Sequence, residues 1–274
     1  MSGLELVARH HTPWGLPPSW GGMWPETPAT RPALTAVLRL GSRSSMLGDR
    51  RRKGSAAMDA RALCAGLRRD LADVEECIED NSWLGELEAG RLSTGALRAF
   101  AGEQLQIIPS DLRSFEVLIQ RFAADPAHGY LADLAAGERA ALYALEAFAT
   151  AVGLDGPQRQ AYEPVPGCQV YPSYVARLAR DGTPAQIAGA FLVNLDAWGS
   201  CCARMADALP STYQLSRADC AFFAHFAGPT TELERTSLEV IDAGLAQGVD
   251  PAAIARAARL LQAYELLFWN SLPR

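Results

Sequence analysis

From Met58 onward the apolar residues recur at intervals of three and four, and that period most constrains what this chain can fold into. Leu63, Leu67, Leu71, Val74 and Ile78 mark one face of a helix over residues 59–79. Ser93 is placed to cap a second helix through Leu97, Phe100, Leu105 and Ile108. Pro109 should kink it, because its ring clashes with the preceding turn, before the pattern resumes through Phe115, Leu118 and Phe122. A third helix covers 131–152 and stops at Gly153. The Pro- and Gly-rich stretch 154–170 reads as a long loop, and a short helix follows at about 172–180. Thr183, Pro184 and Gln186 form a capping-box start for a helix running to about Leu209. Thr231 and Glu234 suggest another box, and Asp250-Pro251 opens a last helix ending near Leu272. There is no run of alternating β-branched residues and no Asn-Gly or Asp-Gly hairpin. The expected class is all-α: one bundle of about seven helices.

Residues 1–57 differ in kind. They are rich in Pro, Gly and Trp, lack periodicity, and carry the solvated basic run 48–55 with the chain's only lysine, Lys53. Such a segment buries too little surface to offset its ordering entropy. It is expected to be a disordered or dispensable extension, an over-extended gene start included, ahead of a helical domain over 58–274. The adjacent His10 and His11 carry no metal expectation.

Charge narrows the partners. Residues 1–57 hold eight Lys and Arg against three Asp and Glu; residues 58–274 hold 17 against 28. An acidic body lacks the clustered cations that phosphate contacts need, so nucleic acid is not an expected partner. No apolar run approaches the ~18–20 residues of a membrane span, and the N-terminus lacks the charged and apolar regions of a secretory signal. A cytoplasmic location without membrane attachment is expected. The six cysteines are scattered with no CxxC and read as buried free thiols. His128 and His225 are the only histidines beyond residue 57. Paired Glu-x-x-His clusters for a dinuclear metal are missing, as are a phosphate loop, a Ser-His-Asp set and zinc spacing, so no metal and no cofactor are expected.

A pocket within a helical bundle shows itself as polar residues on core-facing positions. Glu265 is the clearest: Leu261 lies four before it, Phe268 three after and Trp269 four after, an apolar face. A carboxylate there is either a bonded acid at the edge of the stripe or a pocket acid. Glu103 lies between Phe100 and Ile107, beside Gln104 and Gln106. Asp111, after Pro109, reads as ordinary helix-restart chemistry. Asn194 falls on the buried face between Phe191 and Trp198; Asp196 points toward a flank. Cys201 and Cys202 read as small core residues, and the second capping box accounts for Glu234.

Four stretches together resemble the TenA/PqqC family: residues 81–100; residues 162–191; "NLDAWGSC" at 194–201; and "YELLFWN" at 264–270, the most specific. The likeness covers about residues 60–272 and implies a haem-oxygenase-like helical fold. In the thiamine-salvage members, the C-terminal Glu of the Tyr-Glu-x-x-Phe-Trp motif is a catalytic acid/base, and Glu265 falls on it, with Tyr264 beside it. Tyr171 falls near a pocket tyrosine and Trp198 on the family's Trp-containing turn. The family's nucleophilic cysteine, two residues before that Trp, is Asp196 here. Its pyrimidine-binding Asp is Gln104, with Glu103 adjacent. The resemblance therefore implies Glu265 as the catalytic residue and Glu103, Gln104, Tyr171, Asn194, Asp196, Trp198 and Tyr264 as substrate-binding. Two functions stay open: a hydrolase acting on a thiamine-related aminopyrimidine, or a non-catalytic binding or accessory protein. The expected partner is a small molecule, and pairing into a homo-oligomer stays open.

Overall fold

The computed structural model describes residues 59–274; the expectations for residues 1–57 lie outside them. Ten helices follow in order among the described residues: α1 (Ala60–Glu79), α2 (Ser82–Glu88), α3 (Thr94–Arg121), α4 (His128–Ala151), α5 (Gly156–Gln160), α6 (Val170–Asp181), α7 (Pro184–Tyr213), α8 (Ala221–Phe226), α9 (Thr231–Ala246) and α10 (Pro251–Ser271). No strand occurs among these residues. Seven helices have 12 residues or more and match the expected bundle. The other three, of five to seven residues, are single turns or two that the sequence reading passed over.

The local signals explain most boundaries. The Ser93 hydroxyl accepts from the Ala96 amide at the head of α3, and Asp250 accepts from Ala252 at the head of α10. Thr183 and Gln186 close the box at the head of α7. Gly153 takes φ +76° just past α4, a left-handed turn that costs glycine least. α3 runs unbroken through Pro109. Proline removes one amide donor and its ring crowds the preceding turn, a cost that burial of the flanking turns offsets so that the helix continues. The second expected box does not form. Thr230, not Thr231, is the N-cap of α9, without a side-chain hydrogen bond. Glu234 instead meets Arg68 of α1 at 3.3 Å.

α7 is the spine: it packs against α10, α9, α8, α1 and α2, while α3 packs against α4 and α6. Where these layers meet, Trp83, Phe148, Trp198, Phe223, Phe268 and Trp269 surround Phe100, with ring centroids 5.4–6.3 Å away. Each such side chain, fully buried, contributes roughly 1.5–3 kcal/mol, so the cluster anchors the bundle. No described helix is long and apolar enough to cross a membrane.

Candidate functional site

Beside that aromatic cluster the helices leave a small chamber of about 40 Å³. α3 contributes Gln104, Ile107, Ile108 and Asp111; α4 gives Glu138; α6 gives Tyr171; α7 gives Phe191, Asn194, Leu195 and Trp198; α8 gives Phe226; α10 gives Glu265 and Phe268. A wider vestibule of about 380 Å³ adjoins it between α4, α7, α8 and α9. Glu138, Phe191, Leu195 and Phe226 line both spaces and so form the waist between them.

Glu265 is 4% exposed. Its Oε1 accepts from Trp269 Nε1 at 2.8 Å, one turn along the same helix. Burial pushes its carboxyl up to about 7, against the opposing pull of hydrogen bonds from Trp269 and Asn194. Near neutrality it exists in both protonation states. Asn194 is fixed in turn: Tyr171 donates to its Oδ1 at 3.0 Å, and its Nδ2 donates to Gln262 Oε1 at 3.0 Å. Tyr171 holds its proton more firmly than usual because it is buried and faces Asp111, Glu265 and Glu138.

Two further acids share the chamber. Asp111 is 3% exposed, and its Oδ1 has no hydrogen-bond partner. Burial, then the charges of Glu138 and Glu265, raise it well above the ordinary carboxylate range. Glu138, at the waist, is pushed up to about 8 by burial. The sequence reading set Asp111 aside as helix-restart chemistry and passed over Glu138, though a signal was present. Gln104, Ile107, Ile108 and Asp111 follow i, i+3, i+4, i+7, one helix face, once α3 is known to continue through Pro109. Glu138 interrupts the otherwise buried stripe Leu131, Leu134, Ala135, Ala141, Leu145 of α4.

The expected site residues divide. Gln104, Tyr171, Asn194, Trp198 and Glu265 line the chamber. Asp196 does not: it projects from the outer side of α7, 39% exposed, and pairs with Arg68 at 2.9 Å. Tyr264 packs edge-on against Tyr174 at 5.2 Å, away from the chamber lining. Glu103 is completely buried but serves the fold. It accepts from the Tyr162 hydroxyl (2.5 Å), the Val165 amide (2.6 Å) and Gln169 Nε2 (2.5 Å). Those bonds pin the segment between α5 and α6 onto α3. Gly102 makes room for it, because a Cβ there would lie 2.6 Å from the Tyr162 ring.

No cysteine lines the chamber. The Cys201 thiol is buried and pushed up to about 12 by that burial, so it holds its proton at neutral pH. No histidine lines it either, and His225 reaches only the vestibule, so these residues do not fit a haem on a proximal histidine. What the arrangement offers is an acid that titrates near neutrality, an oriented amide and tyrosine, a second buried acid with an oxygen in need of a donor, a third acid at the waist, and an aromatic wall.

A model of the TENA/THI-4/PQQC family matches residues 84–274. Among solved structures, a TenA homologue from Pyrococcus furiosus is 15% identical and superposes with a TM-score of 0.62 over 77% of this chain and 100% of its own. A TenA homologue from Pseudomonas syringae pv. tomato gives 13%, 0.67, 82% and 99%. A domain of unknown function with a haem-oxygenase-like fold from Shewanella denitrificans gives 14%, 0.60, 79% and 91%. No curated protein matches the chain.

Proposed function

The chain belongs to the TENA/THI-4/PQQC family, and from that premise we propose that the chamber binds a small organic molecule on which Glu265 performs general acid–base chemistry. The substrate class that suits the family is a thiamine-related aminopyrimidine, and the reaction is hydrolysis of its C–N bond. With no thiol in the chamber, water is the nucleophile. Glu265 takes a proton from the attacking water as the C–O bond forms. It returns a proton to the amine nitrogen as the C–N bond breaks and ammonia departs. Gln104, Asn194 and Tyr171 orient the ring through hydrogen bonds, and Trp198 and Phe268 cover its faces.

The observation that supports this most is the raised carboxyl of Glu265, about 7, inside a chamber walled largely by apolar side chains. A general acid–base works best when its pKa lies near the working pH. The test is ammonia release from a panel of thiamine-related aminopyrimidines by the wild type and by Glu265→Gln. Release by the wild type that falls by about 100-fold or more in the variant is the expected result. Release that survives the substitution would remove Glu265 from the chemistry.

The absence of a thiol from the chamber specifically favours a second reading, a binding or accessory protein that retained the fold. It predicts saturable thermal stabilisation by an aminopyrimidine with no ammonia released.

A further inference from the structure

Three acids line the inner chamber, and no Arg, Lys or His lines it with them. Asp111, Glu138 and Glu265 come from three different helices, so no single turn of sequence forces them together. Glu265 has Trp269 as a donor, but the Asp111 Oδ1 is buried with none. A buried acceptor without a donor is costly, and a protein retains few of them without a use. The vestibule repeats the bias, adding Asp133 and Glu232 against His225 alone. The waist between the two spaces is Glu138 set among Phe191, Leu195 and Phe226.

We propose that the inner chamber takes the ammonium head of a small alkylamine, which arrives through the vestibule past Glu138 and donates its N–H bonds to Asp111 and Glu138. This rests on the chamber being the ligand site, as in the function proposed above, and not on the hydrolysis. An ammonium supplies three donors, enough for the empty Asp111 oxygen, Glu138 and one amide oxygen of Gln104 or Asn194, and as its charge enters, the proton that burial holds on the acids it pairs with is released to solvent. The methylene next to the nitrogen is covered by the apolar lining of Phe191, Phe226 and Trp198. The smaller inner space accepts the head and the wider vestibule accepts the tail. A metal ion fits less well: among the described residues no group of three or more His, Cys, Asp or Glu side chains is arranged to hold one. An anionic ligand would meet three acids and no cation.

The experiment is titration calorimetry and thermal shift of the full chain at pH 7.5 with n-butylamine and 1,4-diaminobutane. n-Butanol and butyrate serve as the neutral and anionic isosteres, and Mg2+ and Zn2+ as metal controls. Saturable binding of the amines, at least ten-fold tighter than n-butanol, with no binding of butyrate, is expected. Asp111→Asn and Glu138→Gln should each weaken amine binding by ten-fold or more. Circular dichroism confirms that each variant is folded, and Glu138→Gln, at the partly exposed waist, carries the test where Asp111→Asn does not fold. No amine binding at millimolar concentration, equal binding of n-butanol, or amine binding indifferent to the folded variants overturns the proposal. So does stoichiometric metal binding that is lost in Glu138→Gln. The two readings fail separately. Ammonia release from an aminopyrimidine without amine binding sinks this proposal alone; amine binding without ammonia release sinks the hydrolysis alone.

Discussion

Glu103 and Asp111 lie on one helix, eight residues apart, and both are buried carboxyl groups. They have opposite surroundings. Glu103 faces the segment between α5 and α6 and collects three donors from it. Asp111 faces the chamber, where one of its oxygens has none. Burial alone therefore does not distinguish these two acids; the supply of donors does. A satisfied acid holds the fold together, whereas an unsatisfied one is tolerated at a stability cost where a ligand is to bind.

The largest effect should come from breaking the satisfied side. Glu103→Ala leaves the Tyr162 hydroxyl, the Val165 amide and Gln169 without their acceptor. A loss of about 3 kcal/mol is expected, with Tm falling by about 10 °C in a domain of this size. Denaturant unfolding that showed less than about 1 kcal/mol would put Glu103 in the same class as the chamber acids.

Glu265→Gln should move the other way. Folded Glu265 holds its proton to about 7, above its ordinary value of 4.5. Its contribution to stability is therefore full below about 4.5 and is lost as pH rises through about 7. Gln cannot ionise, so the variant should match wild type near pH 5 and exceed it by on the order of 2 kcal/mol at pH 8. Melting curves across that range measure the difference. A variant that melts below wild type at pH 8 would make Glu265 a structural acceptor like Glu103.

A smaller change sharpens the satisfied side. Tyr162→Phe removes one of the three donors and leaves Val165 and Gln169 in place, so about 1 kcal/mol should be lost with ligand binding unchanged. The smallest effect is expected at Asp196, whose ion pair with Arg68 is more than a third exposed. Asp196→Asn should cost less than about 1 kcal/mol, a cost that shrinks with added salt, and should leave ligand binding intact. Lost binding in this variant would return Asp196 to the site and require the outer face of α7 to take part.

Much of this was legible from residue order. The helical class, the Ser93, Thr183 and Asp250 starts and the buried face around Glu265 were readable because a helix places partners three or four residues apart. The stretch at residues 264–270 was readable in another way, through its resemblance to a family motif. The Thr231–Glu234 box misled because its pattern is as local as a true cap, and nothing near it announced that Arg68, 166 residues away, would claim Glu234.

What the tertiary structure alone decided is which polar residues meet. Glu103 finds its donors 59 to 66 residues along the chain. Asn194 is held by Tyr171, 23 residues before it, and Gln262, 68 after. Asp196, two positions from Asn194, turns outward onto Arg68. Asp111 and Glu138 became neighbours of Glu265 only when α3, α4 and α10 packed around one chamber. Sequence by itself determined where the seven long helices run and which of their faces are apolar, because periodicity is a property of neighbours. It left open which buried acid would be satisfied, because a hydrogen-bond partner is set by packing between helices far apart in the chain.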